Sequence, residues 1–343
     1  MWRGRGSSSA PSAGTFCTGI HDGLPALKTT VIALAAVVAL SAAGLIGFLR
    51  PDLPRAELIQ KYVDGNSRFI RLPDGSEAHI EILGRAGSPA VVLLHGAMSS
   101  VQSWTGWLPS LSMSYRVIAI DLPGHGLTGE TGVRDYSRAG MVAFVRSILR
   151  ALGEKRVALV GHSMGGGVAV EYAERYPDET WALVLIDSAG IHIAGRSDTE
   201  AAKLARNPMT RALLPWIMPK WELARALRRM YGDPAKVTDA LVDRICELER
   251  FPGNRVGLIG HYLAPSDDAV LEAALPSISA PVLIEWGALD TVQPRAAAEI
   301  FRRQIRGASL VIYPGVGHDV IEEAPAVSER DAAAFLSAVE PRG

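Results

Sequence analysis

The chain has 343 residues, of which 48% are hydrophobic and 21% are charged, and its formal net charge is -1. This near-neutral balance, without a long basic run, excludes nucleic-acid binding that depends on phosphate contacts. The fraction of hydrophobic residues is typical of globular proteins and excludes a largely disordered chain. The length suits one large α/β domain with a short appendage.

The first residues carry two separate predictions. Residues 1–28 are rich in Gly, Ser and Pro, and we predict a disordered tail because this composition buries little apolar surface. The run 31–49 contains no charged residue and just reaches the roughly 20 residues with which a helix crosses a bilayer. We therefore predict that residues 29–50 form a single-pass transmembrane anchor and that the chain contacts a membrane through 31–49. The main alternative is a cleaved signal peptide.

Basic residues lie on both sides of this run, so the positive-inside rule does not settle its orientation. They are Arg3, Arg5 and Lys28 before the run and Arg50, Arg55 and Lys61 after it. N-terminal anchors often export the domain that follows, and we expect the large domain to be extracytoplasmic.

Short apolar runs with many β-branched residues recur from residue 67 onward. Residues 67–82 are typical of a β-hairpin around a Pro-Asp-Gly turn at 73–75. Further runs are continuous rather than alternating, as expected for strands that are covered on both faces of a parallel sheet. They lie at 90–95, 116–121, 156–162, 182–187, 281–286 and 309–314.

Helical periodicity separates these strands. It predicts helices at 138–152, 164–176, 295–305 and 326–339. Alternation of strand and helix predicts an α/β fold with a doubly wound, mostly parallel sheet. Only helical patterns occur over 190–276, which we interpret as a cap inserted between a first part of the core at 65–189 and a second part at 277–340.

The strongest chemical signal is GHSMG at residues 161–165, between a predicted strand and a predicted helix. A serine hydroxyl is a weak nucleophile until a base takes its proton, and a sharp strand-to-helix turn exposes its side chain above the sheet. The pattern predicts Ser163 as the nucleophile. It also predicts the Met164 amide N–H, at the start of the helix, as one donor of an oxyanion hole.

Residues 95–97 (His-Gly-Ala) follow the strand at 90–95, where a second oxyanion donor is expected. We predict that this donor is the Ala97 amide N–H. His95 itself is expected to hold the loop rather than to act on a substrate.

An acid and a base follow two late strands of the sheet. Asp290 lies after the strand at 281–286, and His318 lies after the strand at 309–314. Their order after Ser163 is the Ser–acid–His order of catalytic triads on this kind of sheet. Asp187, at the end of another strand, remains an alternative acid.

Other polar residues near these motifs have structural interpretations. Asp121 is expected to close the turn at Pro123 and Gly124, whereas His125 and His162 are expected to be packing residues. The two cysteines, Cys17 and Cys246, have no zinc-like spacing, so no disulfide and no metal site are expected.

Taken together, these motifs resemble those of the α/β-hydrolase superfamily over residues 65–340. The resemblance rests on HGAMSS, DLPGHG, GHSMGG, WGALD and GVGHDVIEEAP, which occur in this order. It implies an acyl-enzyme mechanism without a cofactor, in which Ser163 attacks a carbonyl, His318 acts as base and then acid, and Asp290 fixes the imidazole tautomer.

The implied function is a membrane-anchored serine hydrolase of carboxylic esters, acting on hydrophobic acyl esters with lipids among them. A carbon–carbon bond hydrolase and a perhydrolase with the same triad remain open, as does a non-catalytic ligand-binding protein. Epoxide hydrolases and haloalkane dehalogenases are disfavoured because they need a carboxylate where Ser163 stands. No oligomeric state is predicted.

The predicted cap is rich in methionine and aromatic residues. These side chains either line an acyl pocket or contact lipid, or they only hold the cap helices to the core. They are Met209, Trp216, Met218, Trp221, Met230, Tyr231 and Phe251. Arginines in the same region alternate with acidic residues, and we interpret them as a solvated face.

Overall fold

The computed structural model of the chain describes residues 30–32, 34, 49–193, 199–265 and 267–341. The predicted tail at 1–28 and most of the predicted anchor at 29–50 lie outside these residues. Within the described ranges, no helix combines the length and the apolar character that crossing a membrane requires. The chain divides into two units, Met1–Leu49 and Arg50–Gly343, and the second contains the sheet.

Eight strands of the described chain form one sheet in the order β1-β2-β4-β3-β5-β6-β7-β8. Strand β2 pairs antiparallel with both β1 and β4, and all other pairs are parallel. This topology confirms the predicted doubly wound, mostly parallel sheet. The strands are β1 (Ser67–Arg71), β2 (Glu77–Leu83), β3 (Ala90–Leu94), β4 (Arg116–Ile120), β5 (Val157–His162), β6 (Thr180–Ile186), β7 (Val282–Gly287) and β8 (Ser309–Tyr313).

The central strands are buried along their whole length because helices cover both faces of the sheet. On β3, Val92 belongs to one apolar cluster, whereas its neighbours Val91 and Leu93 belong to the cluster on the opposite face. Successive side chains of a strand point to opposite faces. A strand with two buried faces therefore needs a continuous apolar run. This is why a continuous apolar run in the sequence predicted β3 correctly.

The four predicted core helices are found within one residue of their predicted ends, as α3, α4, α11 and α13. The side-chain oxygen of Ser137 caps the first of them by accepting from the Gly140 N–H at 3.1 Å, and Gly153 ends it in the left-handed region. The helices are α1 (Arg55–Tyr62), α2 (Leu108–Leu111), α3 (Arg138–Leu152), α4 (Met164–Arg175), α5 (Glu200–Arg206), α6 (Pro208–Leu213), α7 (Lys220–Met230), α8 (Asp239–Leu248), α9 (Asn254–Leu263), α10 (Asp268–Ala274), α11 (Arg295–Gln304), α12 (Val320–Glu323) and α13 (Pro325–Val339).

Helices α5 to α10 lie between β6 and β7 and form the cap. The described residues of this part include no strand, in agreement with the predicted helical insertion. Buried side chains of α7 and α8, among them Leu223, Leu227 and Val242, form an apolar cluster. Met98, from the loop after β3, packs against this cluster and so connects the cap with the carboxyl edge of the sheet.

Asp121 ties together the loops at this edge. Its carboxylate is buried and accepts hydrogen bonds from the Val101 N–H at 2.8 Å, the Leu127 N–H at 2.7 Å and His79 Nδ1 at 2.7 Å. Burial alone would raise the pKa of Asp121, but these bonds and the nearby imidazoles hold the pKa below its ordinary value. The contacts support the structural role that the sequence predicts for Asp121.

We expect Asp121→Asn to lower the free energy of unfolding by at least about 2 kcal/mol, because the amide replaces one charged acceptor with a donor that faces buried N–H groups. Urea unfolding at neutral pH measures the change. Because the folded pKa lies below the ordinary value, the stabilisation is present at neutral pH and is lost as the pH falls through the folded pKa. Asp178→Asn, at an exposed position, is the control, and equal losses in the two variants would contradict this account.

Candidate active site

Ser163 occupies the sharp turn between β5 and α4. Its backbone lies at φ 51° and ψ -116°, a conformation that non-glycine residues rarely adopt. The turn is held by its own hydrogen bonds. The Ser163 N–H donates to the Ile186 carbonyl at 2.9 Å, and the Ser163 carbonyl accepts from the N–H groups of Gly166 at 3.0 Å and Ala189 at 2.9 Å. These bonds fix the hydroxyl at the carboxyl edge of the sheet.

Two glycines allow the loop after β3 to approach this turn. A Cβ atom at Gly165 would lie 2.2 Å from the Leu94 carbonyl oxygen, which no side chain could accept. A Cβ atom at Gly96 would lie 3.2 Å from the Ser163 Cβ. Glycine at both positions therefore places the loop that carries Ala97 directly beside the serine.

The three residues predicted as a triad form one hydrogen-bonded row. The Ser163 hydroxyl donates to His318 Nε2 at 3.0 Å, and His318 Nδ1 donates to Asp290 Oδ2 at 2.8 Å. The other Asp290 oxygen accepts from the backbone N–H groups of Val292 at 2.7 Å and Gln293 at 2.8 Å. Because these bonds fix the carboxylate, the imidazole is oriented with its free lone pair toward the serine, as nucleophile activation by a general base requires.

Asp187, the alternative acid, lies beside this row but is bonded differently. Its buried carboxyl accepts from the Gly287 N–H at 2.8 Å and from the Val320 N–H at 3.4 Å. Burial, followed by the charge of nearby Asp290, raises the pKa of Asp187 well above its ordinary value. The geometry therefore favours Asp290 as the partner of His318, and the raised pKa of Asp187 favours a neutral carboxyl in a supporting role.

A matched pair of substitutions separates the two acids. We expect Asp290→Asn to slow covalent labelling by a fluorophosphonate about 10³-fold or more, because the histidine loses the acceptor that selects its tautomer. Asp187→Asn should slow labelling less than about tenfold, because an amide resembles a neutral carboxyl in shape and charge. The second-order labelling rate measures both effects, and the reverse order would make Asp187 the acid.

Two backbone amides adjoin the serine. Within the described residues, neither the Ala97 N–H nor the Met164 N–H has a hydrogen-bond acceptor. The Met164 amide opens α4, where the helix dipole favours negative charge. Both amides are thus available to an anion that forms next to Ser163, and their assignment as an oxyanion hole stays a prediction.

His95, His125 and His162 are buried near the site and hold its loops rather than face a substrate. His95 donates from Nδ1 to the Gly96 carbonyl at 2.7 Å and accepts at Nε2 from the Leu122 N–H at 3.0 Å. His162 donates from Nε2 to the His318 carbonyl at 2.8 Å. Burial lowers the pKa values of His125 and His162 to about 3, so both rings are neutral at physiological pH, which supports the packing roles predicted for them.

His162, Asp187 and His318 also bring ligand atoms within 4.8 Å of one another, a spacing that a metal ion accepts. Their bonds argue for a different use. Both nitrogens of His318 are engaged with the triad, and burial raises the pKa of Asp187, so only His162 keeps a ring nitrogen, Nδ1, without a partner. A metal ligand must be deprotonated and have a free lone pair, so the trio fits the hydrogen-bonded hydrolytic site.

The cap contributes to this site through the end of α7. The His318 N–H donates to the Met230 carbonyl at 2.8 Å, and the Thr291 hydroxyl donates to the Arg229 carbonyl at 3.1 Å. The loops that carry the base and the acid are therefore both attached to one cap helix.

Glu323 is a residue that the sequence reasoning missed. Its buried carboxylate accepts from the N–H groups of Gly232 at 2.8 Å and Asp233 at 3.2 Å, just after α7, and from the Gly317 N–H at 2.8 Å, just before His318. All three donors are backbone groups, and two of them lie far away in the sequence. No side-chain pattern could therefore have signalled the contact.

We expect Glu323→Gln to slow fluorophosphonate labelling at least about tenfold, because its amide donors repel the backbone N–H groups that fix the His318 loop. Glu57→Gln, at an exposed position of α1, is the matched control. Circular dichroism and labelling rate are measured on both variants. An unchanged rate in the Glu323 variant would show that the loop holds its geometry without this carboxylate.

Comparison with known proteins agrees with the fold. A family model described as alpha/beta hydrolase fold matches residues 89–325, and the chain belongs to this family. It is 29% identical over 269 residues to the monoacylglycerol lipase abhd6-B of Xenopus laevis, covering 75% of this chain and 78% of that protein. The predicted fold and family are thus confirmed, and the relatives support a hydrolase.

Two solved structures are similar over nearly their whole length. A putative lipase (lip1) from Acinetobacter baumannii AYE has a TM-score of 0.71 and 26% identity, covering 85% of this chain and 98% of that chain. A membrane phospholipase A, described as a bacterial virulence factor, has a TM-score of 0.67 and 25% identity, covering 92% of this chain and 100% of that chain.

Proposed function

We propose that this chain is a membrane-anchored serine hydrolase that cleaves carboxylic esters through an acyl-enzyme. The observation that carries the proposal is the hydrogen-bonded row from Ser163 through His318 to Asp290, beside two amides without acceptors. A base within hydrogen-bond reach of the nucleophile and an orienting acid behind it are the groups that this reaction needs.

The reaction begins when His318 Nε2 takes the hydroxyl proton and the Ser163 oxygen attacks the ester carbonyl. The oxygen of that carbonyl becomes an anion, which the Ala97 and Met164 amides stabilise by about 3 kcal/mol each. His318 then gives its proton to the leaving alkoxide, which departs as an alcohol. Water repeats the sequence on the acyl-enzyme, and the products are a carboxylic acid and free Ser163.

A hydrophobic acyl group is the substrate feature that the surroundings favour. Met98 directly follows the amide donor Ala97 and packs against the apolar cluster of α7 and α8. An ester held at the oxyanion site therefore lies next to apolar side chains of the cap. The names of the relatives, a monoacylglycerol lipase, a putative lipase and a membrane phospholipase A, point to the same substrate class.

The anchor in this proposal is the uncharged run at 31–49, with the hydrolase domain on the extracytoplasmic side. Its support is the length of the run and the charged residue that ends it. The similarity to a membrane phospholipase A covers 92% of this chain, which is more than the second unit alone.

The test uses the full chain in detergent micelles with esters of increasing acyl length. We expect fluorophosphonate labelling and turnover that fall at least about 10³-fold in Ser163→Ala, with an optimum at long acyl chains. Val270→Ala, at an exposed position of α10, is the control for handling and folding. Folded wild-type protein that is neither labelled nor active on any ester would contradict the proposal and would direct attention to carbon–carbon bond hydrolysis.

A further inference from the structure

The apolar residues of the cap fall into two sets. Tyr231 and Phe251 are buried at 5% and 3% exposure, whereas Met209, Leu213 and Trp216 are exposed at 81%, 51% and 54%. The buried pair holds the cap to the rest of the domain. Packing within the described chain gives no reason for the exposed set.

The exposed set lies on one face. Met209 and Leu213 are four residues apart on α6, and the helical turn continues past the end of α6, because the Trp216 N–H donates to the Leu213 carbonyl at 2.9 Å. Spacings of four and three residues bring side chains to one side of a helix. We call Met209, Leu213 and Trp216 the cap stripe. A contiguous apolar strip of this kind is typical of a surface that meets a partner or a membrane.

The chain that follows the predicted anchor is fixed to this stripe. The Arg50 N–H donates to the Trp216 carbonyl at 2.8 Å, and the Leu53 N–H donates to the Arg250 carbonyl at 2.8 Å. The Arg250 side chain donates to the Pro51 carbonyl at 2.8 Å. Residues 50–53 are thus attached to the cap, and the first of them is bonded at the Trp216 end of the stripe.

This attachment fixes where the bilayer must lie if residues 31–49 cross it. Arg50 directly follows the apolar run in the sequence. Because consecutive Cα atoms are about 3.8 Å apart, its backbone lies within about that distance of the last residue of the run. Trp216, hydrogen-bonded to Arg50, then lies at the edge of the membrane. Tryptophan is enriched at that depth because its ring is apolar and its N–H is polar.

The segment that carries the stripe has a positive formal charge. Residues 201–221 include Lys203, Arg206, Arg211 and Lys220 and no acidic residue. Two of these cations pair with acidic residues outside the segment, Lys203 with Glu200 at 2.8 Å and Lys220 with Asp243 at 2.6 Å. Basic residues beside an apolar helix face favour anionic phospholipid headgroups.

We propose that the cap stripe is a second membrane contact, which inserts into the headgroup boundary of the bilayer that holds the anchor. The inference rests on the anchor in the proposed function and adds a defined surface to it. It sets the cap against the membrane, so that a lipid ester leaving the bilayer meets the part of the protein that packs over the site.

The test uses the full chain with Cys17→Ser and Cys246→Ser, reconstituted in vesicles of phosphatidylethanolamine and phosphatidylglycerol. An environment-sensitive nitrobenzoxadiazole dye is placed at Met209→Cys in one sample and at Met113→Cys in the other. Met113, in the turn after α2, is 88% exposed and is the matched control for Met209 at 81%. Lipids with a spin label near the headgroup serve as the quencher.

We expect a blue-shifted emission at position 209 and at least about twofold quenching by the spin-labelled lipid, with neither effect at position 113. If the protein floats with the vesicles but the dye emits as in water at both positions, the proposed membrane contact of the cap stripe is wrong, whereas the proposed anchor stands. A blue shift at 209 without lipid quenching would assign the stripe to a second protein copy and would also overturn the proposal. Failure to float with the vesicles would overturn the anchor and the stripe together, whereas ester hydrolysis in micelles reports on the chemistry separately.

Discussion

The site depends on a close approach of three backbones at the carboxyl edge of the sheet. The loop after β3, the turn at Ser163 and the end of β6 touch one another through backbone atoms. A left-handed serine costs about 1–3 kcal/mol, and its hydrogen bonds to Ile186 and Ala189 offset that cost. Any side chain at Gly165 would separate the loop from the turn. This steric limit explains how the loop that carries Ala97 lies directly beside Ser163.

The cap is part of this arrangement as well as a cover for it. The end of α7 bonds the loops of His318 and Asp290, and Glu323 joins the residues after α7 to the residue before His318. A displacement of α7 would therefore move the base relative to Ser163. If the cap rests on a bilayer, the helix that positions the histidine, α7, begins four residues after Trp216, the last residue of the cap stripe. The cap would then connect the membrane surface with the catalytic site.

Several parts of the molecule could be predicted from the sequence because local patterns carry them. A strand buried on both faces needs a continuous apolar run, and a helix that packs on the sheet needs apolar residues at the 3.6-residue period. The positions of the core strands and helices could therefore be predicted closely. Ser163, Asp290 and His318 were predicted as a triad because the chain order and the strand ends restrict where a triad can lie, and the structure places the three side chains in one hydrogen-bonded row.

Other parts depend on distances that no pattern contains. Asp187 and Asp290 both follow strands, and only the fold shows which one faces the imidazole. Glu323 binds backbone groups, and backbone groups leave no signature in the sequence. The aromatic residues of the cap looked alike in the sequence, yet Phe251 is buried and Trp216 is exposed. Burial is decided by tertiary packing, which a short segment cannot encode by itself.

The central claim is that Ser163 forms a covalent acyl intermediate, and trapping that intermediate tests it most directly. The full chain is mixed with a chromogenic long-chain ester, stopped in acid within the first turnover and digested with trypsin. Cleavage after Arg156 and Arg175 releases one peptide in which Ser163 is the only serine. The account predicts the mass of the acyl group on that peptide at Ser163, and its loss in His318→Ala. Turnover of the ester with this peptide unmodified, or with the acyl group on another residue, would contradict the account.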